Sequence, residues 1–231
     1  HSQRRARHGL GLPRTVFPGA PARQASAPPN RGVDYSAPMP DPHIELILGG
    51  ARSGKSRHAE SRAMASGLEV VYIATATAQD DEMAQRIHHH RQRRPAHWRT
   101  VEAPLALAAC LQQEAADGRC LLVDCLTLWL TNLLLGPGLS PEQTALLDVL
   151  PTLPGQVLLV SNEVGWGIVP DNALARQFRD AQGWLNQRVA QSADQVTLVA
   201  AGLPLVLKAP AARPHPLRAC NLASPRSELS W

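Results

Sequence analysis

Lysine is nearly missing from this chain: 231 residues hold only Lys55 and Lys208. The four cysteines, Cys110, Cys120, Cys125 and Cys220, form no C-x-x-C pair and have no histidines at zinc-binding spacing. That argues against a structural zinc site and a disulfide framework, and suits the reducing cytoplasm. No apolar run approaches the roughly 20 residues of a membrane span, so no membrane partner is expected. The segment from His1 to Pro42 lacks the apolar core of a secretory signal, and no internal repeat appears. Basic charge is missing where a nucleic-acid surface would need it. The net charge is +4, yet residues 1–42 hold six arginines against two aspartates, and residues 209–231 three arginines against one glutamate. Residues 43–208 are left at about −2, so no nucleic acid is expected as a partner. Twelve of the twenty prolines fall in the same two ends. Both therefore read as disordered extensions, 1–42 and 209–231, around one folded domain, 43–208.

Within that domain one stretch organises the rest. Ile44 to Leu48 is a short apolar run, and Gly49-Gly50-Ala51-Arg52-Ser53-Gly54-Lys55-Ser56 follows it. Residues from Arg57 to Ala65 then favour a helix. Strand, G-x-x-x-x-G-K-S loop and helix, in that order, make a P-loop. The glycines let the backbone curl so that successive N–H groups point at a polyphosphate. Lys55 would neutralise the β and γ phosphates, Ser56 would hold Mg²⁺, and the helix dipole would add to both. One of only two lysines falling at the motif position argues against an incidental glycine-rich turn.

Further elements fit an α/β sheet. Glu69 to Thr75 reads as a second buried strand whose end, Ala74-Thr75-Ala76-Thr77, opens on the P-loop side. Asp80 to Arg94 reads as a helix with acids first and bases last. Its histidines, His88, His89 and His90, point about 100° apart and so cannot all grip one ion. Two readings stand: a solvated basic helix end, or one imidazole acting as nucleophile or base beside a bound nucleotide. Pro95 to Ala103 reads as a loop leading into a short extended segment, and Leu105 to Ala115 as a helix. Arg119 to Asp124 is an apolar strand ending in a carboxylate, the Walker B pattern, with Asp124 placed to hold Mg²⁺ opposite Ser56. A helix over Leu126–Leu135, a short one opened by Pro141, a strand over Gln156–Ser161 and a long amphipathic helix over Asn172–Ser192 come next. A C-terminal hairpin turns at Ala201-Gly202. Between Ser161 and Asn172 the loop Asn162-Glu163-Val164-Gly165-Trp166-Gly167-Ile168-Val169-Pro170 reads as a glycine-rich flap or a plain connector.

The ordered set of Gly49–Arg57, Asp80-Asp81-Glu82-Met83, Arg86–Arg91, Arg94–Thr100, Thr131–Leu134, Asn162–Pro170 and Asn186-Gln187-Arg188 closely resembles the bifunctional adenosylcobinamide kinase/adenosylcobinamide-phosphate guanylyltransferases of cobalamin biosynthesis. The resemblance runs from about Ile44 to Lys208. It implies a RecA-like P-loop fold, mostly parallel with helices on both faces, assembled as a homotrimer. It also implies two reactions: γ-phosphoryl transfer from ATP or GTP to adenosylcobinamide, then GMP transfer from GTP through a histidine, which matches His89. Nucleotide contacts implied by the family fall on Gly49 to Ser56, on Ile73, Ala74 and Thr75, on His90, Arg91, Gln92 and Arg93, and on Glu102 and Asp124. Two alternatives stand beside this: a single-function P-loop kinase with His89 a spectator, and a nucleotide-switched interaction module.

Overall fold

A computed structural model of the protein describes residues 43–77, 94–136 and 138–210. Strands β1 (Ile44–Gly49), β2 (Glu69–Ala74), β3 (Arg99–Glu102), β4 (Arg119–Asp124), β5 (Gln156–Asn162), β6 (Gln195–Ala200) and β7 (Leu203–Lys208) form one sheet. Their order is β3-β2-β4-β5-β1-β6-β7. Six strands run parallel, and β7 alone is antiparallel, hairpinned onto β6. The expected P-loop α/β architecture with a C-terminal hairpin is the one observed. Runs such as Ile44-Glu45-Leu46-Ile47-Leu48 and Val157-Leu158-Leu159-Val160 are buried on both faces, as strands sandwiched between helices must be.

Period-2 alternation divides the central strands β1, β2, β4 and β5 between two cores. Ile44, Leu46 and Leu48 pack with helices α2 (Leu107–Glu114), α3 (Leu126–Leu135), α4 (Ser140–Val149) and α5 (Ala173–Ser192). Ile47, Tyr72, Leu122 and Val160 pack instead with Ala59 and Ala63 of helix α1 (Lys55–Ala65). Helices therefore cover both faces. Helix α5 opens on Asn172, whose side chain accepts from the N–H groups of Leu174 and Ala175 at 2.7 and 3.2 Å.

One helix start departs from sequence expectation for a visible reason. Helix α2 starts at Leu107 rather than Leu105, because side chains of α3 claim the preceding carbonyls. Trp129 Nε1 donates to Leu105 O at 2.7 Å and Asn132 Nδ2 to Pro104 O at 3.1 Å. Helix α4 ends at Val149 and tightens into a 3₁₀ turn over Leu150–Thr152, where Pro151 has no N–H to continue an α-helix. The expected helix over Asp80–Arg94 lies outside the described residues except for Arg94, as do residues 1–42 and 211–231.

One charge is buried within β1. Glu45 has no exposed surface, and its carboxylate accepts from Arg62 Nε at 3.0 Å, Gln195 Nε2 at 3.0 Å and Thr197 Oγ1 at 2.8 Å. Removing the cationic partner of a buried carboxylate costs about 3 kcal/mol. Arg62→Met is therefore expected to lower Tm by roughly 6–12 °C at a conversion of about 2–4 °C per kcal/mol. Glu69→Ala, which breaks an exposed pair with Arg119, should shift Tm by no more than about 2 °C. Thermal unfolding of the two variants side by side checks the contrast.

Candidate active site

Parallel strands bring the carboxyl ends of β1, β2, β4 and β5 to one rim, where ligands collect in such sheets. There the chain leaves β1 through Gly49 to Gly54 and enters α1 at Lys55. Arg52 (φ 56°) and Gly54 (φ 97°) take the left-handed backbone that turns the loop. Ser53 N donates to Gly50 O at 3.3 Å within it. The hairpin tip supports the loop from one side: Gly202 N donates to Ser53 O at 2.8 Å. A Cβ on Gly54 would lie 3.2 Å from Gly202 Cα. Gly49 has less room still, since a Cβ there would meet Ser53 Oγ at 2.4 Å and Val199 O at 2.5 Å. The first N–H groups of α1, which have no acceptor inside their own helix, end at the same place.

Lys55 lies across this loop, its Nζ donating to Gly50 O at 3.2 Å. Burial holds its ammonium below the usual lysine range, while nearby Cys125 and Asp124 push the other way. Asp124 ends β4, and its Oδ2 accepts from the Tyr72 hydroxyl at 3.0 Å. Burial, then the adjacent carboxylate, pushes the Tyr72 phenol far above its ordinary range, so it stays a donor. The Arg94 guanidinium sits 3.2 Å from the centroid of the Tyr72 ring. Its Nε and Nη1 are buried with no hydrogen-bond partner among the described residues.

Side-chain hydrogen bonds tie the strand ends together. The Thr75 hydroxyl donates to Cys125 O at 2.7 Å and accepts from Cys125 N at 2.9 Å, joining β2 to β4. Asn132 Nδ2 donates to Thr75 O at 2.8 Å, and its Oδ1 accepts from Thr77 Oγ1 at 3.3 Å. Thr127 Oγ1 accepts from Asn162 N at 2.8 Å. Glu163 N donates to Gly49 O at 3.1 Å, pinning the chain after β5 to the start of the phosphate loop. Burial raises the Cys125 thiol to about 11, so it stays neutral between Asp124 and Lys55.

The residues expected from sequence are therefore distributed as follows. Gly49, Gly50, Ala51, Arg52, Ser53, Gly54, Lys55 and Ser56 form the loop and helix start, and Lys55 lies within electrostatic reach of Asp124. Ala74 pairs with Asp124 on one side and Glu102 on the other, so these three share the rim level. Glu102 is nevertheless four strands from Gly49. Ile73 is wholly buried in the core, and the Thr75 side chain is engaged with Cys125. His89, His90, Arg91, Gln92 and Arg93 lie outside the described residues. Reading the sequence missed Tyr72 and Arg94, because a tyrosine inside an apolar strand looks like core and nothing local predicts its bond to a carboxylate 52 residues away. It also gave no role to Asn132 or Asn186, polar residues on helical faces that prove to be anchors of the rim.

A family model described as cobinamide kinase / cobinamide phosphate guanyltransferase matches residues 45–207. Among similar proteins, the bifunctional adenosylcobalamin biosynthesis protein CobP of Pseudomonas aeruginosa is 61% identical over 167 residues, covering 71% of this chain and 96% of that protein. The bifunctional adenosylcobalamin biosynthesis protein CobU of Salmonella typhimurium is 46% identical over 179 residues, covering 71% and 98%. The Escherichia coli protein of the same description is 42% identical over the same length and shares.

The crowding at Gly49 makes a definite prediction. Gly49→Ala forces the Val199 carbonyl or the loop to move, an overpacking cost of about 1–3 kcal/mol. Tm should fall by roughly 3–10 °C, and affinity for nucleoside triphosphate should fall with it as the loop distorts. Gly50→Ala, whose Cβ meets nothing within 4 Å, should leave Tm within about 2 °C of the parent. Differential scanning fluorimetry with and without nucleotide reads both.

Proposed function

The chain belongs to the cobinamide kinase / cobinamide phosphate guanyltransferase family, and from that premise we propose that it runs both reactions with adenosylcobinamide, in the cytoplasm, at the rim around Gly49–Ser56 and Asp124. The observation that carries this reading is the P-loop geometry itself: a curled loop, a half-buried lysine across it and a Walker B carboxylate within its electrostatic reach.

In the first reaction ATP or GTP seats its phosphates on the loop. Lys55 and the α1 N-terminus balance their charge, and the acceptor hydroxyl takes the γ-phosphoryl group. The oxygen donors suit a hard cation: Ser56 is the second residue of α1, Asp124 ends β4, and Ser53 Oγ is a buried hydroxyl without a hydrogen-bond partner among the described residues. Ser56 and Asp124 would hold Mg²⁺, which would supply positive charge to offset that of the transferred group. Tyr72, bonded to Asp124, fixes the carboxylate's orientation.

In the second reaction His89 attacks the α-phosphorus of GTP, pyrophosphate leaves, and a phosphoramidate carries GMP. The phosphate made in the first step then attacks that phosphorus, giving adenosylcobinamide-GDP and freeing the imidazole. Support comes from where the chain leaves and returns. Before the histidine segment, Thr77 is bonded to Asn132 at the rim. After it, Arg94 stacks on Tyr72, two residues below the rim and in contact with Asp124 through that ring's hydroxyl. His90 to Arg93, Glu102 and the β2 end at Ile73, Ala74 and Thr75 complete the proposed nucleotide contacts.

A homotrimer is part of the same proposal. Trp166, Ile168 and Val169 after β5 and Leu203, Leu205, Val206 and Leu207 on β7 are large apolar side chains left exposed, the kind of surface that oligomers cover. No helix among the described residues is long and apolar enough to cross a membrane.

Incubation with GTP labelled at the α-phosphorus tests the reading. The expected product is a protein-bound label, acid-labile and alkali-stable, that disappears in His89→Asn while nucleotide binding persists. Label retained in His89→Asn, or no label in the parent protein, overturns the histidine step.

A further inference from the structure

The two reactions leave one rim carboxylate unused, and the fold devotes an unusual amount of buried polar structure to it. Glu163 stands one residue past β5, the strand paired with β1 in a register that sets Asn162 opposite Gly49. Its own N–H is bonded to Gly49 O, which fixes its backbone beside the first residue of the phosphate loop. Its side chain is held from behind, as Asn186 Nδ2 donates to Glu163 Oε1 at 3.1 Å and to Asn162 O at 3.0 Å. Asn186 is itself oriented, its Oδ1 accepting from Ser161 Oγ at 2.7 Å and Gln182 Nε2 at 3.0 Å. Gln182 Nε2 also reaches Ser161 Oγ at 2.9 Å.

Ser161 and Gln182 are wholly buried and Asn186 nearly so. Apolar residues would fill the space between β5 and α5 without the desolvation cost that polar groups carry there. A network of this kind fixes a direction, and here the direction belongs to one carboxylate. Glu163 Oε2 takes no hydrogen bond among the described residues. Three other carboxylates are placed for different work. Asp124 is bonded to Tyr72 and proposed for Mg²⁺, Glu102 is four strands from Gly49, and Glu45 is sealed in the core near the start of β1.

Resting on the kinase half of the proposed function, we infer that Glu163 is the general base of the phosphoryl-transfer step, with Asn186 as the positioning residue that aims it. As the acceptor hydroxyl oxygen bonds to the γ-phosphorus, its proton passes to Glu163 Oε2. The bond from that phosphorus to the β–γ bridging oxygen breaks, and the nucleoside diphosphate leaves with the electron pair. The protonated carboxyl then returns its proton to solvent.

Glu163→Gln keeps the size of the side chain and the Oε1 acceptor for Asn186, so the fold survives. Three quantities are measured on the parent and the variant: nucleotide Kd, the rate of cobinamide phosphorylation, and the rate of guanylylation when cobinamide phosphate is supplied directly. The expected result is a phosphorylation kcat lower by about 10²–10⁴-fold, with Kd changed less than about threefold and guanylylation preserved. Asn186→Ala should lower phosphorylation kcat about tenfold at unchanged nucleotide KM, and the double variant should be no slower than Glu163→Gln alone. Phosphorylation by Glu163→Gln within threefold of the parent overturns the assignment, as does parallel loss of nucleotide binding and guanylylation. A parent protein that phosphorylates no cobinamide overturns the kinase reading itself, a result distinct from an active parent with an equally active variant.

Discussion

Six parallel strands deliver their ends to one edge of the sheet, and every backbone group arriving there must find a partner or face solvent. That requirement shapes the rim. Thr75, Thr127, Asn132 and Asn186 each spend a side chain on the backbone of a strand end or the residue after it, at Cys125, Asn162, Thr75 and Asn162 in turn. The result is a set of strand ends locked to one another before any ligand arrives. Preorganisation of this kind is what a phosphoryl-transfer site needs, because such chemistry depends mainly on positioning and fixed charge.

The phosphate loop is subject to the same constraint in its strictest form. It must curl tightly enough to present N–H groups, which places Arg52 and Gly54 in left-handed backbone. It must also pack against the β6–β7 turn, where Ala201 (φ 51°) and Gly202 (φ 80°) make the mirror-image geometry that a two-residue hairpin favours. The antiparallel strand thus does more than close the sheet. Its turn supplies the Gly202 N–H that satisfies Ser53 O and the bare backbone against which Gly54 fits.

Much of this was legible in sequence. Apolar runs over Ile44–Leu48, Glu69–Thr75, Arg119–Asp124 and Gln156–Ser161 gave the strands to within one residue at their ends, and G-x-x-x-x-G-K-S gave the loop, because both depend on local pattern. The Ala201-Gly202 turn was legible for the same reason. Contacts that depend on which strand lies beside which were not. Tyr72 reaches Asp124 only because β2 pairs with β4, and Glu163 meets Gly49 only because β5 pairs with β1. Asn186 stood in a recognisable motif, but a polar residue on the inner face of an amphipathic helix gives no hint of its partner until β5 is placed against it.

The electrostatics of Lys55 connect the site's rest state to its work. Its ammonium is half-buried beside a carbonyl, in surroundings that disfavour its charge, with Cys125 and Asp124 only partly offsetting the desolvation. A polyphosphate in the loop would bring negative charge to the same place, and the lysine would then be more stable charged than in the empty protein. By linkage, whatever free energy the anion restores to the lysine's charged form, the lysine returns to anion binding. A solvated surface lysine would hold its charge in either state and contribute less to that difference. The near absence of lysine elsewhere in the domain leaves this coupling concentrated at one residue, and replacing it with arginine would change the balance, since a guanidinium does not give up its proton when buried.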